Sequence, residues 1–357
     1  MEKKKVLVAM SGGVDSSVSV KLLLDKGYDV WGATMHLYTN DDIGAAKTKT
    51  CCSLNDTEDA RYVAMKLGIE FYVFNFAADF KKYVIDQFVN SYLRGFTPNP
   101  CIECNKHLKF DRFLQRSREL GFEDIATGHY VTKEFDEKSG RWLLKRSPDR
   151  KKDQSYVLYA LTQDQLAHTH FPVGEMTKDS IRSIAEENEL INANKPDSQD
   201  ICFIPDGDYA KFIINRSKEP EHGEIVLTDG TKIGEHIGLI NYTVGQRKGI
   251  GVSYFEPLYV VRKETDNNRL VLGTKDEIFS SSLIADDVNF IPFDKLTDPL
   301  ECSAQTRYHQ KDSECVVTPL PDGKVRVDFK EPHKAISKGQ AVVFYNGEYV
   351  LGGGTII

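Results

Sequence analysis

The chain has 357 residues, of which 28% are charged and 40% hydrophobic, with a formal net charge of −7. That length and balance suggest two or three globular domains with a sizeable core, and they exclude a disordered or fibrous chain. No apolar run approaches the ~18 residues of a membrane helix. The stretch behind Met1-Glu-Lys-Lys-Lys5 is too short for a signal peptide's core, so a cytoplasmic protein is expected.

The first expected element is a buried-type strand at Val6–Met10. It runs into Ala9-Met-Ser-Gly-Gly-Val-Asp-Ser-Ser17 and then a helix-like stretch, Ser17–Lys26. Without Cβ atoms, Gly12 and Gly13 let the backbone turn close on an anion. The following helix points free N–H groups and its positive dipole end at the same anion. Ser11, Ser16 and Ser17 add hydroxyl donors. The Gly-Lys-Ser/Thr ending of a Walker-type loop is missing. A plain glycine turn with a serine cap is the competing reading, and the strand-loop-helix placement argues against it.

A second strand is expected at Asp29–Thr34, followed by a helix at Asp56–Leu67 with Ala60, Val63, Ala64 and Leu67 on one face. Glu70–Phe76 reads as a third strand, Phe80–Leu93 as a helix ended by Gly95, and Glu123–Thr127 as a fourth strand. Alternating β and α imply an α/β fold with a doubly wound parallel sheet and ligands at the carboxyl ends of its strands. From about residue 206 the pattern becomes β-rich, with runs at Glu224–Leu227, Lys232–Ile233, Leu258–Val261 and Leu270–Leu272. Past about 276 come more short strands, punctuated by Pro321-Asp322-Gly323, Asn346-Gly347 and Gly352-Gly353-Gly354. The expected domains are therefore 1–205, a small β-rich domain at 206–275 and a C-terminal β-barrel at 276–357.

The overall charge announces no nucleic-acid partner, but local patches allow one. Residues 141–152 carry six bases against one acid. Lys106, Lys109 and Arg112 form a second basic group and Arg247-Lys248 a third.

The seven cysteines read as chemistry or metal ligation and not as a disulfide framework. Thr97-Pro-Asn-Pro-Cys-Ile-Glu-Cys-Asn-Lys106 opens a helix continuing through Phe113, and its two prolines fix the preceding loop. The helix N-terminus is expected to lower the pKa of a thiol on the first turn, which makes Cys104 a candidate reactive thiolate. Cys101 and Cys104 form a CxxC pair, which could also supply structural zinc ligands, although no second CxxC or paired His completes such a site. Cys202 lies in the polar loop Asp197–Phe203, where the competing reading is a small core residue. Cys51-Cys52 falls in an expected loop. Cys302 and Cys315, in the β-rich tail, read as core packing.

Taken together the blocks resemble one family. They are Ser11-Gly-Gly-Val-Asp-Ser16, Thr97-Pro-Asn-Pro100, Cys104-Asn-Lys106, Ala126-Thr-Gly-His-Tyr130, Lys152-Asp-Gln-Ser-Tyr156, Phe171-Pro-Val-Gly174, Ile201-Cys-Phe-Ile204, Gly245-Gln-Arg-Lys-Gly249, Thr306-Arg-Tyr308 and Leu351-Gly-Gly-Gly354. Over essentially its whole length the chain resembles the tRNA-specific 2-thiouridylases of the bacterial MnmA type. The loop itself resembles the pyrophosphate loop of enzymes that cleave ATP between the α- and β-phosphates. The resemblance implies ATP-dependent adenylation of the C2 oxygen of the wobble uridine in tRNAs for Lys, Glu and Gln, then replacement of that oxygen by sulfur. It implies ATP on Ala9, Met10, Ser11, Gly12, Gly13, Val14, Asp15 and Ser16, with Met35 and Gly128 near the adenosine, and Mg²⁺ as a second cofactor. It places Asn99, Pro100 and Cys101 at the target base, and His129, Lys152, Asp153, Gln154, Arg307, Tyr308 and Gln340 on tRNA. Cys202 would carry a persulfide, Cys104 would form a disulfide with it on sulfur release, and Asp15 would join them as a catalytic residue. A sulfur-relay protein or cysteine desulfurase would be the donor, and a monomer is expected.

One position departs from the family. Many members carry Asp where this chain has Cys101, and the change adds a third thiol. Three thiolates, Cys101, Cys104 and Cys202, could instead ligate a [4Fe–4S] cluster. The same phosphate loop is also compatible with a different adenylating tRNA-modifying enzyme, or with a tRNA-binding protein that has lost catalysis.

Overall fold

The structure, a computed structural model, describes residues 3–39, 43, 54–196, 201–217, 219–308 and 310–357. Cys51, Cys52 and Asp197–Asp200 lie outside the described residues. The chain divides into two compact units. One comprises Met1–Ile85, Pro100–Gly207 and Gly347–Leu351, and the other Asp86–Asn99, Asp208–Asn346 and Gly352–Ile357.

In the first unit, β1 (Lys5–Ala9) is followed by α1 (Val14–Asp25), β2 (Asp29–His36), α2 (Leu54–Lys66), β3 (Phe71–Asn75) and β4 (Asp124–Thr127). The hairpin β5 (Val131–Asp136) and β6 (Arg141–Arg146) precedes the two-residue β7 (Thr169–His170). Among the described residues these strands build a parallel sheet of order β3-β2-β1-β4-β7. Val6, Leu7 and Val8 of β1 are fully buried, because a central parallel strand covered by helices on both faces has no wet side. From α1 come Val18, Val20 and Leu23, and from α2 Ala60, Val63 and Ala64, all in the same apolar core. The fourth residue of the expected α2 stripe, Leu67, is only partly buried and packs at its margin.

The chain steps outward from β1 to β2 and β3, then returns to the opposite side of β1 as β4. Strand order therefore reverses between β1 and β4, and the crevice beyond their carboxyl ends is the natural ligand site of such a sheet.

Several local features differ from the sequence expectation. The helix expected at Phe80–Leu93 starts at Ala77 and passes through a wider π-helical stretch, Lys81–Ile85. The helix opening at Pro100 is likewise π-helical over Asn105–Arg112. The basic run begins as strand β6, paired antiparallel with β5. Two of its bases are neutralised from outside: Lys145 by Glu134 at 3.0 Å, and Arg150 by Glu348.

In the second unit, β8 (Gly223–Leu227), β9 (Lys232–His236), β10 (Tyr259–Glu264) and β11 (Arg269–Gly273) form a sheet of order β10-β11-β8-β9. It closes over Ile225, Tyr242, Val260, Leu270 and Leu272. The remaining strands are β12 (Phe279–Phe290), β13 (Leu300–Gln305), β14 (Ser313–Pro319), β15 (Val325–Lys334), β16 (Ala341–Asn346) and β17 (Tyr349–Ile356), the last of which belongs to this unit from Gly352 on. They run in the order β12-β15-β14-β13-β16-β17, and pairing of β12 with β17 shuts them into a barrel, leaving no open sheet edge there. No helix among the described residues is long and apolar enough to cross a membrane.

An aromatic cluster ties a late segment of the first unit to the end of β2. Phe80 is fully buried, with the Tyr38 ring at 5.4 Å and the Phe203 ring at 5.6 Å. Phe80→Ala is expected to reduce stability by about 3–5 kcal/mol, as for other large-to-small core changes. Denaturant unfolding checks this, and an unchanged midpoint would contradict the packing.

Candidate active site

The loop between β1 and α1 is held from several directions. Met10 N–H donates to Ala33 C=O at 2.8 Å, and Thr34 Oγ1 donates to Met10 C=O at 2.6 Å, which fixes the loop's start against β2. Ser16 Oγ donates to Gly13 C=O at 3.0 Å and accepts from Ser11 N–H at 3.2 Å, closing the turn on itself. Gly12 has φ +75°, and a Cβ there would stand 2.4 Å from the Asp56 carbonyl oxygen. Only glycine fits that position. Gly13 caps α1 without any side-chain hydrogen bond, so the first-turn N–H groups that have no carbonyl partner within the helix are available to an anion.

From far along the chain, Asn192 Nδ2 donates to Gly12 C=O at 3.0 Å and to Ser17 Oγ at 2.8 Å. Lys195 Nζ reaches Gly12 C=O at 3.2 Å while pairing with Asp56 and Asp59 at 2.5 and 2.6 Å. A lysine and an amide thus pin the loop's backbone from outside it.

Asp15 is the centre of a second set of bonds. Its carboxylate accepts from Lys178 Nζ at 2.8 and 2.9 Å and from Tyr130 Oη at 2.6 Å. Lys178 is buried. Tyr130 in turn is held by Gln154, whose Oε1 accepts from Tyr130 N–H at 2.9 Å. A Cβ on Gly128 would lie 2.8 Å from both Asp15 C and Ser16 N, so the end of β4 presses directly on the first turn of α1. The crevice at the sheet's switch point and the phosphate loop are therefore one place. Met35 stands half-buried at the carboxyl end of β2.

The cysteines are differently placed. Cys101 is exposed and Cys104 buried on the short helix Pro100–Cys104. Burial pushes the Cys104 thiol up to about 11, with Cys101 adding to the rise and Lys109 opposing it. The lowered pKa expected from the helix N-terminus is thus corrected: desolvation of the anion outweighs the dipole, and Cys104 is protonated at neutral pH. The Cys202 carbonyl accepts from Tyr38 Oη at 2.7 Å, which anchors this residue just beyond the carboxyl end of β2, next to the strand that feeds the loop. Among the described residues no three His, Cys, Asp or Glu side chains gather into a metal-holding group. Cys101, Cys104 and Cys202 are accordingly not gathered into a ligand set as they stand, and the CxxC pair has no further zinc ligands among the described residues.

Residues that the resemblance assigns to tRNA have structural partners as well. His129 is 9% exposed and bonded through Nδ1 to Thr127 Oγ1 at 2.9 Å. Burial, with Lys109 adding to it, holds its imidazole well below the usual histidine range, so it is neutral. Asp153 organises its own loop, accepting from Ser147 N–H at 3.1 Å and from Ser155 Oγ at 2.8 Å. Lys152 is half-buried in the same loop. In the second unit, the Arg307 guanidinium donates to Val244 C=O, Ala335 C=O and Ser337 Oγ at 3.0, 2.8 and 2.8 Å. Arg307 and Tyr308 line a pocket of about 350 Å³ together with Gln310 and Lys334. Gln340 Nε2 donates to Thr97 C=O at 2.7 Å, and Thr97 N–H to Lys338 C=O at 2.8 Å, so the barrel holds the segment leading to Asn99. Pro100 itself is buried at the first position of its helix.

Sequence reasoning missed Tyr130, Lys178, Asn192 and Lys195 as parts of this site. Only Tyr130 fell within a recognised block, and nothing local marked the other three.

Comparison with known proteins matches three family models in order along the chain: a tRNA methyl transferase HUP domain over residues 4–206, a tRNA methyl transferase PRC-barrel domain over 211–274, and an aminomethyltransferase β-barrel domain over 280–356. The tRNA-specific 2-thiouridylase MnmA of Acetivibrio thermocellus is 50% identical, covering 100% of both chains. MnmA 1 of Thermoanaerobacter sp. strain X514 is 51% identical over 99% of this chain and 98% of its own. The Clostridioides difficile strain 630 protein, a tRNA-specific 2-thiouridylase MnmA, is 49% identical over the same shares. The domain descriptions speak of methyl transfer, but the relatives that match from end to end are thiouridylases. With half of its residues shared over the full length of these proteins, and with the phosphate loop at the switch point of its sheet, the chain belongs to the tRNA-specific 2-thiouridylase family.

Proposed function

We propose that this protein makes 2-thiouridine in tRNA, using ATP to activate the C2 oxygen of the wobble uridine and a sulfur carried on Cys202 to replace it. The observation that carries this reading is the convergence at the sheet's carboxyl edge. The loop from Met10 to Ser16 follows β1, Cys202 is tied just beyond neighbouring β2, and both belong to one compact unit.

A carbonyl oxygen is a poor leaving group, and adenylation turns it into AMP, a good one. The open N–H groups at the start of α1 would hold the nucleotide's phosphates, where fixed donors stabilise charge that builds during transfer. Mg²⁺ would accompany those phosphates and add to that stabilisation. Asp15 is fully engaged by Lys178 and Tyr130, so its work is to fix the first turn of α1 against β4. It is a positioning residue in this reading. A persulfide on Cys202 has a terminal sulfur more acidic than a thiol, and it would attack the adenylated carbon and expel AMP. Cys104 would then join Cys202 in a disulfide as the carried sulfur leaves. Its high pKa keeps it silent until deprotonated. This reading routes no step through an iron–sulfur cluster. Arg307, Tyr308, Lys152, Asp153 and Gln154 would contact tRNA, partly by shaping the loops that present its backbone contacts. The donor is a cysteine desulfurase or a sulfur-relay protein acting on Cys202.

Three outcomes are expected. Cys202→Ser retains tRNA-dependent pyrophosphate release but loses thiolation by at least a hundredfold, measured by mass spectrometry of tRNA nucleosides; thiolated tRNA formed at the normal rate would refute the carrier role. Lys178→Met, which leaves Asp15 without its cation, slows tRNA-dependent pyrophosphate release tenfold or more with tRNA affinity unchanged. Equal losses in both would show a general structural role instead. Alkylation of Cys104 by iodoacetamide rises about tenfold per pH unit between pH 7 and 9, as its thiolate fraction climbs toward a pKa of about 11. A plateau below pH 8 would contradict the buried, protonated thiol.

A further inference from the structure

Two cysteines with no place in that chemistry face each other in the C-terminal barrel. Strands β13 and β14 are antiparallel, and their register sets Cys302 directly opposite Cys315. The two sulfurs are 3.7 Å apart. Cys315 is 1% exposed, while Cys302 is half-buried and within reach of solvent.

Opposed residues in an antiparallel pair have Cα atoms about 4.5–5.5 Å apart, inside the range of about 4.4–6.8 Å that a disulfide spans. The sulfurs need only close to about 2.05 Å, by side-chain rotation. The position matters as well as the geometry. Between the two strands lies the loop that carries Arg307 and Tyr308, and the cysteines stand 13 residues apart at its base. That loop is already narrow, with Ser303 Oγ donating to Asp312 and Gln305 Nε2 to Gln310 C=O at 2.5 Å, and Thr306 Oγ1 ties it to β15 through His333 Nε2 at 2.8 Å. The native hairpin therefore holds the two thiols ready for a bond.

We propose that Cys302 and Cys315 are an oxidisable dithiol, converted by low-molecular-weight disulfides into a cross-strand bridge that staples the base of the Arg307–Tyr308 loop. The deprotonated Cys302 sulfur attacks one sulfur of the disulfide, forming a mixed disulfide and releasing one thiolate. Cys315, losing its proton, attacks the Cys302 sulfur, breaks the mixed bond and releases the second thiolate. The two protein thiols are oxidised, the small disulfide is reduced to two thiols, and the two protons end on those products. The hydrogen bond between the Cys302 and Cys315 thiols, which favours the protonated form of Cys302, together with burial raises the Cys302 thiol above the ordinary range, so the first attack is slow. The second is fast, because its partner is already in place.

The test uses the full chain incubated with oxidised glutathione, followed by alkylation and tryptic digestion. Trypsin cuts after Lys295, Arg307, Lys311 and Lys324, so the two cysteines fall in separate peptides, 296–307 and 312–324. The expected product is these peptides linked and lighter by two hydrogens, with a higher thermal midpoint for the oxidised protein and slower amide exchange at 303–308 and 310–314. Cys302→Ser and Cys315→Ala each abolish the linked pair and the shift. Peptides that stay unlinked under conditions that oxidise the denatured chain would overturn the proposal. So would a lasting glutathione adduct on Cys302, since it would show that Cys315 cannot complete the exchange. Both readouts concern the barrel alone, so they stand or fall apart from the thiolation reading.

Discussion

Everything at the candidate site depends on the contact between the end of β4 and the first turn of α1. Gly128 lets the two backbones meet, and the carboxylate of Asp15 then binds Tyr130 from the β4 side and Lys178 from a later helix. That clamp fixes the direction in which the open N–H groups of α1 point. Without it, the glycine turn at Gly12 and Gly13 would keep its internal bonds but lose its bearing on β4. With it, the turn is a pre-set cradle whose donors need no rearrangement when charge builds on a phosphate. Asn192 and Lys195 complete the hold from the opposite side.

The thiols show how far tertiary context can reverse a local rule. A cysteine near a helix start is often a good thiolate, because the dipole favours the anion. Here Cys104 lies inside the protein, and the loss of water costs its anion more than the dipole and Lys109 return. Cys101, three residues earlier, faces solvent. One turn of helix therefore offers a protected thiol and an exposed one. In the proposed chemistry the first would stay protonated and buried, safe from idle oxidation, while the sulfur would be carried on a third cysteine, Cys202, whose backbone is anchored by Tyr38.

Much of this was legible in the sequence, for a definite reason. The phosphate loop, the alternating strands and helices and the switch to short strands after residue 206 are contiguous patterns, and local physics sets them. The supports of the site are not contiguous. Tyr130 and Lys178 meet Asp15 across 115 and 163 residues, and Asn192 and Lys195 reach Gly12 across 180 and 183. A single polar side chain leaves no periodicity to read. The hairpin of β5 and β6 was masked by its charge, since Arg141–Arg146 looks first like a basic run and only then like a strand. The π-helical widening at Asn105–Arg112 left no trace in composition. Burial of Cys104 and the facing of Cys302 on Cys315 are both products of packing and register.

The account's central claim is that nucleotide chemistry at this loop falls on the uridine's own oxygen. Transfer RNA carrying ¹⁸O at C2 of the wobble uridine tests it directly, by mass spectrometry of the AMP released during thiolation. The account predicts AMP that has gained the heavy oxygen, one atom for each thiolated tRNA. Unlabelled AMP alongside thiolated tRNA would contradict it.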